Sequence, residues 1–290
     1  MRKQHTVLEL IELAAGYLAG RGIDSARLDA EVLLGHTLGL DRVGLYVNFD
    51  RPLETHEVDA YRRVIAERGQ RKPVAQITGV REFYSYELTV TPDVLIPRPE
   101  TELLVETVLA YVKHLQARRP GHVPRIVDVG TGSGAIAVVL AAELPEADVW
   151  AIDCSPDALR VAQQNAARLG VSDRVTFRQG QWLQPVATEK PFDVVVSNPP
   201  YIPSAQIEQL MPEVRLFEPR LALDGGVDGL DSYRELLPAA RHVVGPGGMV
   251  AVEVGDGQAE QVAAIGRKAG WSKYVVHNDL AGKGRVVAFT

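Results

Sequence analysis

Hydrophobic positions along this chain change their spacing as the sequence proceeds. Residues 1–75 follow a helical period. Leu8, Ile11, Leu13, Ala15 and Leu18 recur at that spacing, and Leu28, Val32, Leu33 and Leu38 do so again. Asp24 or Ser25 is placed to cap the second of these helices. Thr55-His-Glu-Val is followed by Tyr61, Val64 and Ile65, a third amphipathic run. The pattern predicts a small bundle of four or five helices. From Pro73 to Pro99 the pattern becomes β-rich. Phe83, Tyr84, Tyr86, Leu88 and Val90 stand between Gly79 and Pro92 and predict a hairpin. The expected organisation is a helical domain at 1–75, a β-hairpin linker at 76–96 and a large domain at 97–290. Thr101 is placed to cap a helix whose apolar face is Leu104, Val105, Val108, Tyr111 and Val112.

From Arg125 onward, short apolar runs alternate with helical patterns. Strands are predicted at 126–129, 148–152, 175–178, 192–197 and 249–254, with helices at 136–144, 155–169, 230–243 and 258–269. That alternation predicts an α/β fold with a doubly wound parallel sheet. Two last strands, at 274–277 and 285–289, have no helix between them, which suits an antiparallel hairpin at one sheet edge.

Composition narrows the class. The 290 residues are 46% apolar and 23% charged, as in an ordinary soluble globular protein of two domains. No window approaches the roughly 18 apolar residues of a membrane span. Met1 to Leu10 lacks the apolar core of a signal peptide. Cys154 is the single cysteine, so no internal disulfide forms, and a cytoplasmic location is expected. The seven histidines show no metal-ligand spacing, so no metal is expected. Residues 1–75 carry 11 basic against 11 acidic side chains; the remaining 20 against 26 carry the whole net charge of −6. Neither part has the basic surplus of a protein that grips nucleic acid through its phosphates. No direct nucleic-acid contact and no membrane contact are expected, and a monomer is expected.

Asp128-Val-Gly130-Thr131-Gly132-Ser133-Gly134 follows a predicted strand and opens a helix. Glycines at alternate positions let the backbone turn tightly and approach a ligand. A dinucleotide loop of the G-x-G-x-x-G type needs glycine where Ala135 stands, so the spacing favours S-adenosylmethionine over NAD. The next strand ends at Asp153, 19 residues after Gly134. A carboxylate there can accept hydrogen bonds from ribose hydroxyls. It can equally cap the following helix, a task Ser155 or Asp157 can share. Cys154 has no basic partner in sequence and reads as inert.

The most specific feature is Phe192-Asp-Val-Val-Val-Ser-Asn198-Pro199-Pro200-Tyr201. The strand delivers Asn198 to the carboxyl end of the sheet, where doubly wound folds bind ligands. Prolines lack N–H groups and fix φ, so their carbonyls stay available as acceptors. The Asn198 side-chain oxygen and the Pro199 carbonyl can each take one hydrogen of an NH₂ group, with Tyr201 stacked on the planar acceptor. A planar nitrogen is a poor nucleophile, and two such acceptors steer its lone pair toward a methyl donor. Each neutral hydrogen bond contributes only about 1 kcal/mol net. Alignment supplies more, roughly 7–11 kcal/mol as effective molarity. These residues alone do not separate an amide from a nucleobase amino group.

The ordered set of motifs resembles the HemK/PrmC family, protein-(glutamine-N5) methyltransferases that modify class I peptide-chain release factors. The resemblance covers nearly the whole chain. Pro73-Val-Ala-Gln-Ile-Thr-Gly79, Glu82-Phe-Tyr, Val94-Leu-Ile-Pro-Arg-Pro-Glu-Thr-Glu102, the glycine loop, Asn198-Pro-Pro-Tyr, Glu218-Pro-Arg-Leu-Ala-Leu223 and Asp228-Gly-Leu occur in the family's order. It implies a class I, Rossmann-like, seven-stranded methyltransferase domain behind a helical domain that docks the release factor. It implies that the acceptor is the glutamine of a Gly-Gly-Gln motif. It also implies cofactor contacts from Gly130, Thr131, Gly132, Ser133, Gly134, Asp153, Trp182 and Asn198, and a substrate clamp of Asn198, Pro199, Pro200 and Tyr201. Phe83 and Arg98 lie in a segment the family keeps near the site. Arg98 either binds the donor's carboxylate or pairs with Glu100 or Glu102. Glu218 to Leu223 either lines the substrate entrance or is a structural loop. Glu253, at a strand end, reads as a loop anchor or helix cap.

Three competing readings have their own discriminators. A DNA or RNA amino methyltransferase needs the same clamp, and a basic cleft to hold a flipped base. A non-catalytic adaptor would not bind S-adenosylmethionine. A nicotinamide dehydrogenase is disfavoured by Ala135.

Overall fold

The computed structural model describes residues 5–290, so the first four residues of the expected helical domain lie outside the described residues. The chain opens with α1 (Val7–Ala19), α2 (Ala26–Leu38), α3 (Arg42–Val47), α4 (Thr55–Gly69) and α5 (Val74–Thr78). A hairpin of β1 (Val80–Phe83) and β2 (Tyr86–Thr89) leads to α6 (Glu102–Arg118). Then come β3 (Arg125–Val129), α7 (Ala135–Glu143), β4 (Asp148–Asp153), α8 (Pro156–Arg168), β5 (Val175–Gln179) and β6 (Phe192–Ser197). The chain ends through α9 (Pro212–Phe217), α10 (Asp231–Val243), β7 (Val244–Glu253), α11 (Ala259–Lys268), β8 (Tyr274–Asn278) and β9 (Gly284–Phe289).

These residues form two compact units. One comprises Met1–Val80 with Met211–Phe217, the other Arg81–Leu210 with Glu218–Thr290. In the helical unit a capping box starts α1: Thr6 Oγ1 accepts from Glu9 N at 3.3 Å, and Glu9 accepts from Thr6 N at 3.1 Å. Ser25 occupies the N-cap of α2 without a side-chain bond to the helix, and Gly39, at φ 67°, ends it. The core is aliphatic, with Val7, Leu18, Leu33, Leu34 and Leu53 fully buried. Within it Arg68 lies 2.7 Å from Asp29 and 3.0 Å from Glu213 of α9, and Arg71 Nη2 is 2.7 Å from Glu213. These ion pairs explain why a segment 145 residues downstream of Arg68 folds with the bundle.

The larger unit is built on a seven-stranded sheet of order β5-β4-β3-β6-β7-β9-β8. The first five strands in that order are parallel and β9 is antiparallel to both neighbours, as the chain-end hairpin predicted. Val194, Val195 and Val196 of β6 are all completely buried. A parallel strand covered on both faces requires such an unbroken apolar run. Side chains alternate between two cores, Val194 and Val196 facing α6 and α7, Val195 facing α10 and α11. The hairpin expected as a separate linker contributes Phe83 and Leu88 to the first of these cores. Asn165, fully buried on α8, fastens it: the amide accepts from Thr89 N at 2.7 Å and donates to Thr89 O at 2.9 Å and Ser133 O at 2.8 Å.

Candidate active site

In the sheet, β3 has β4 on one side and β6 on the other, so the strand order reverses there. Doubly wound sheets open a crevice outside the carboxyl ends of their strands at such a point. Gly130 after β3, Asp153 ending β4 and Asn198 after β6 meet at this crevice, around a cavity of about 200 Å³.

The glycine loop divides into two kinds of position. Gly130 and Gly132 have φ of 72° and 55°, line the cavity, and would carry a Cβ into open space. Gly134, at φ 80°, differs: a Cβ there would sit 2.9 Å from the Ala162 Cβ, so this glycine lets α7 pack on α8. Gly130 N and Thr131 N both donate to Ile152 O, at 2.8 and 2.9 Å, which hooks the loop to β4. Thr131 and Ser133 are buried, and neither is among the cavity-lining residues. The Thr131 hydroxyl donates instead to Asp128 Oδ2 at 2.6 Å. Burial pushes the Asp128 carboxyl up to about 7; the Thr131 bond works against that rise, and the Asp153 charge adds to it.

Asp153 holds the loop from the other side. Its Oδ2 accepts from Gly132 N at 2.8 Å and its Oδ1 from Ser155 N at 2.9 Å. Ser155, not Asp153, caps α8, accepting from Ala158 N. Each Asp153 oxygen keeps a lone pair for a hydroxyl from the cavity. Trp182, at φ 50°, lines the cavity with Gly180 and Gln181. Burial and then the Asp153 charge raise the Cys154 thiol.

At the end of β6 the Ser197 hydroxyl donates to Val129 O at 2.6 Å, and the chain turns through Asn198 to Tyr201. Asn198 Nδ2 donates to Thr101 Oγ1 at 3.1 Å, and that hydroxyl donates to Glu253 Oε2 at 2.6 Å. Tyr201 OH donates to Glu253 Oε1 at 3.2 Å. The Pro200 carbonyl accepts from Ser232 Oγ at 2.7 Å, and the Tyr201 carbonyl from Gln258 Nε2 at 3.0 Å. Gly225 packs beneath, where a Cβ would come within 2.7 Å of the Tyr201 Cα. Asn198 and Pro200 line the cavity. Pro199 is buried, and Tyr201, expected to stack on the acceptor, stands outside the lining with its hydroxyl on Glu253. Burial raises the Tyr201 hydroxyl, reinforced by the Glu253 charge. Burial also pushes Glu253 up to about 6, against the Thr101 and Tyr201 bonds.

Several expectations change here. Thr101 does not cap α6 with its side chain. It ends the 3₁₀ turn Pro99–Thr101 with helical φ and ψ of −68° and −17°, whereas a capping residue takes extended angles. Arg98 pairs with neither Glu100 nor Glu102; its Nη2 lies 2.6 Å from Glu218, and Glu102 accepts from Tyr84 N. Phe83 is buried in the core with Leu88 and Leu104, outside the cavity lining. Leu95, Leu221 and Ala222 line the cavity, and nothing in their own side chains distinguishes them in the sequence. Ile152 also does, and its place just before Asp153 on a strand end was the available signal. Among the described residues, no helix is long and apolar enough to cross a membrane.

A family model described as "PrmC N-terminal domain" matches residues 9–79, and one described as "Methyltransferase domain" matches 124–265. The chain is 47% identical over 282 residues to the release factor glutamine methyltransferase of Geobacter sulfurreducens, covering 97% of this chain and 95% of that one. It is 44% identical to the release factor glutamine methyltransferase of Moorella thermoacetica, covering 97% and 96%. The hMettl16 catalytic domain, solved with a MAT2A 3′UTR hairpin, superposes at TM-score 0.58 with 15% identity over 75% of this chain and 80% of that one. At that identity the likeness speaks to the fold alone.

Proposed function

The chain belongs to the release factor glutamine methyltransferase family, and on that premise we propose that it transfers the methyl of S-adenosylmethionine to the N5 amide nitrogen of the Gly-Gly-Gln glutamine in class I release factors. It is a methyltransferase that acts on release factor glutamine. Translation is its setting, so the cytoplasm is its compartment.

The cavity suits the donor. Gly130 and Gly132 leave open space above a backbone free to approach a ligand, and Asp153 keeps acceptor capacity toward hydroxyl groups. Trp182 offers an aromatic wall for the adenine. Bound there, the donor supplies an electrophilic methyl on a sulfonium centre.

The acceptor side rests on one observation. In the turn from Asn198 to Tyr201, the Asn198 NH₂ is used by Thr101, the Pro200 carbonyl by Ser232 and the Tyr201 carbonyl by Gln258. That leaves the Asn198 Oδ1 at the cavity, and we assign the carbonyl of the buried Pro199 beside it as the second acceptor for the hydrogens of a primary amide. Held by both, the glutamine nitrogen is aligned for transfer. The two oxygens also stabilise the positive charge that builds on it before it sheds a proton. The helical unit supplies the protein contact. Val43, Tyr46, Val47 and Phe49 are exposed apolar residues there, which suits a docking face.

Transfer of labelled methyl to a release factor, with its Gly-Gly-Gln glutamine intact or changed to alanine, tests the acceptor. Label retained by the alanine form refutes the assignment. Val47→Asp tests the docking face: a raised KM for release factor with unchanged donor affinity is expected, and an unchanged KM rejects it.

A further inference from the structure

We propose that Thr101 and Glu253 are positioning residues that set which end of the Asn198 side-chain amide faces the acceptor nitrogen. This rests on Asn198 acting as the clamp. The two ends of an Asn amide are alike in shape and opposite in hydrogen bonding, so a half-turn about χ2 exchanges oxygen for NH₂. The end that faces the cavity is therefore decided by the partner of the other end.

That partner is Thr101 Oγ1, 3.1 Å from Asn198 Nδ2. A hydroxyl has one hydrogen to donate. Here it goes to Glu253 Oε2 at 2.6 Å, the shorter contact of the two. Thr101 thus meets Asn198 with a lone pair and can take only the NH₂ end. With the amide turned over, Oδ1 and Oγ1 would face each other as two acceptors without a hydrogen between them. The direction of the whole row is imposed by Glu253, because an ionised carboxylate only accepts.

Two donors, Thr101 and Tyr201, hold the carboxylate in that role, and a third bond fixes its backbone. Tyr201 OH donates to its second oxygen at 3.2 Å, and Tyr233 OH donates to the Glu253 backbone carbonyl at 2.8 Å. Thr101 and Glu253 are 4% and 2% exposed, so water is not at hand to replace a lost partner. The consequence for transfer is direct. With Oδ1 toward the cavity, the site offers an acceptor to the hydrogens of a primary amide. With NH₂ there, it would set donor against donor and repel the same group.

Thr101→Val removes the hydroxyl at nearly constant shape, and Thr101→Ser restores it. Thr101→Val is expected to lower kcat on a release factor by about tenfold or more, with KM and the donor Kd changed by less than about twofold. Thr101→Ser is expected to recover to within about threefold of the parent. Nitrogen-edited NMR of the ligand-free enzyme gives a readout that needs no acceptor. The Asn198 side-chain NH₂ signal, identified by its loss in Asn198→Ala, should show one hydrogen-bonded, slowly exchanging proton. That character should vanish in Thr101→Val. Glu253→Gln, whose amide can donate as well as accept, should give two Asn198 signals for two orientations, even if Thr101→Val fails to fold. A kcat within twofold of the parent in Thr101→Val, a Ser variant as slow as the Val variant, or an unchanged Asn198 signal would each overturn the proposal. Should the parent enzyme leave release factors unmethylated, the acceptor assignment falls, while the NMR signal still decides the orientation.

Discussion

Arg98 and Glu218 lie 120 residues apart, and Arg98 Nη2 sits 2.6 Å from both oxygens of the Glu218 carboxylate. The Glu218 side chain is 1% exposed and that of Arg98 32%. The pair ties the segment before α6 to the segment that continues into Pro219, Leu221 and Ala222, which line the cavity. Burial raises the Glu218 carboxyl, and the Arg98 charge works against that rise. Arg98→Ala leaves a buried carboxylate without its partner. A loss of about 2 kcal/mol is expected, below the usual cost of breaking a buried pair because Arg98 is partly in water. Adding Glu218→Gln should return more than half of it. Denaturant unfolding of both variants checks this, and equal losses in the two would reject the account.

Asn198→Ala removes the acceptor on which amide alignment depends. Turnover should fall by about a hundredfold or more, because the clamp acts mainly as charge builds on the nitrogen. Donor affinity by calorimetry should fall much less, since Asn198 is one of many cavity-lining residues. Turnover near that of the parent would dispose of the clamp.

Gly134→Ala and Gly132→Ala should give opposite signatures. At position 134 the new methyl meets the Ala162 Cβ at 2.9 Å and the residue sits at φ 80°, so a loss of about 2–4 kcal/mol is expected in the ligand-free protein. At position 132 the methyl enters open space, so stability should drop by only about 1–2 kcal/mol for the positive φ. Donor binding should suffer more there. Melting temperature and donor Kd, measured together, check the contrast; matching profiles would contradict it.

Asp128 makes stability depend on pH in a definite direction. Its carboxyl titrates near 3.8 in an unfolded chain and about 7 when buried. Between those values the folded state holds a proton that the unfolded state has released. The associated stability is full below the unfolded pKa and is lost as pH rises through about 7. The slope is at most about 1.4 kcal/mol per pH unit. Carboxylates held low by partners, such as Glu213 beside Arg71 and Arg68, act in the opposite sense as they are protonated at lower pH. Unfolding of ligand-free Asp128→Asn between pH 5.5 and 8 should show a flatter profile than the parent. Parallel profiles would refute the role of Asp128.

Much of this protein was written in local pattern. The Val194-Val195-Val196 run, the glycine loop at the end of β3 and the acid ending β4 belong to one short stretch each, and their periods and turn chemistry are set by neighbours in the chain. The doubly wound parallel sheet followed from strand–helix alternation for the same reason. The pairing of Arg98 was not legible, because two carboxylates nearby in sequence competed on paper with one 120 residues away. Thr101 reads as a helix cap from its neighbours alone, and only packing shows its hydroxyl turned to Glu253.

The sequence by itself therefore determined the fold and brought Gly130, Asp153 and Asn198 to the ends of their strands, since each depends on a contiguous stretch. Tertiary structure alone decided which of those residues face the cavity. It sent Gly130 and Gly132 to the ligand side and Gly134 to a helix contact, and it placed Tyr201 on Glu253. It also decided the direction of the hydrogen bonds that run from Asn198 through Thr101 to Glu253. A hydrogen bond needs its donor and acceptor brought within about 3 Å, and for partners far apart in the chain only the packing of the sheet and helices brings them there.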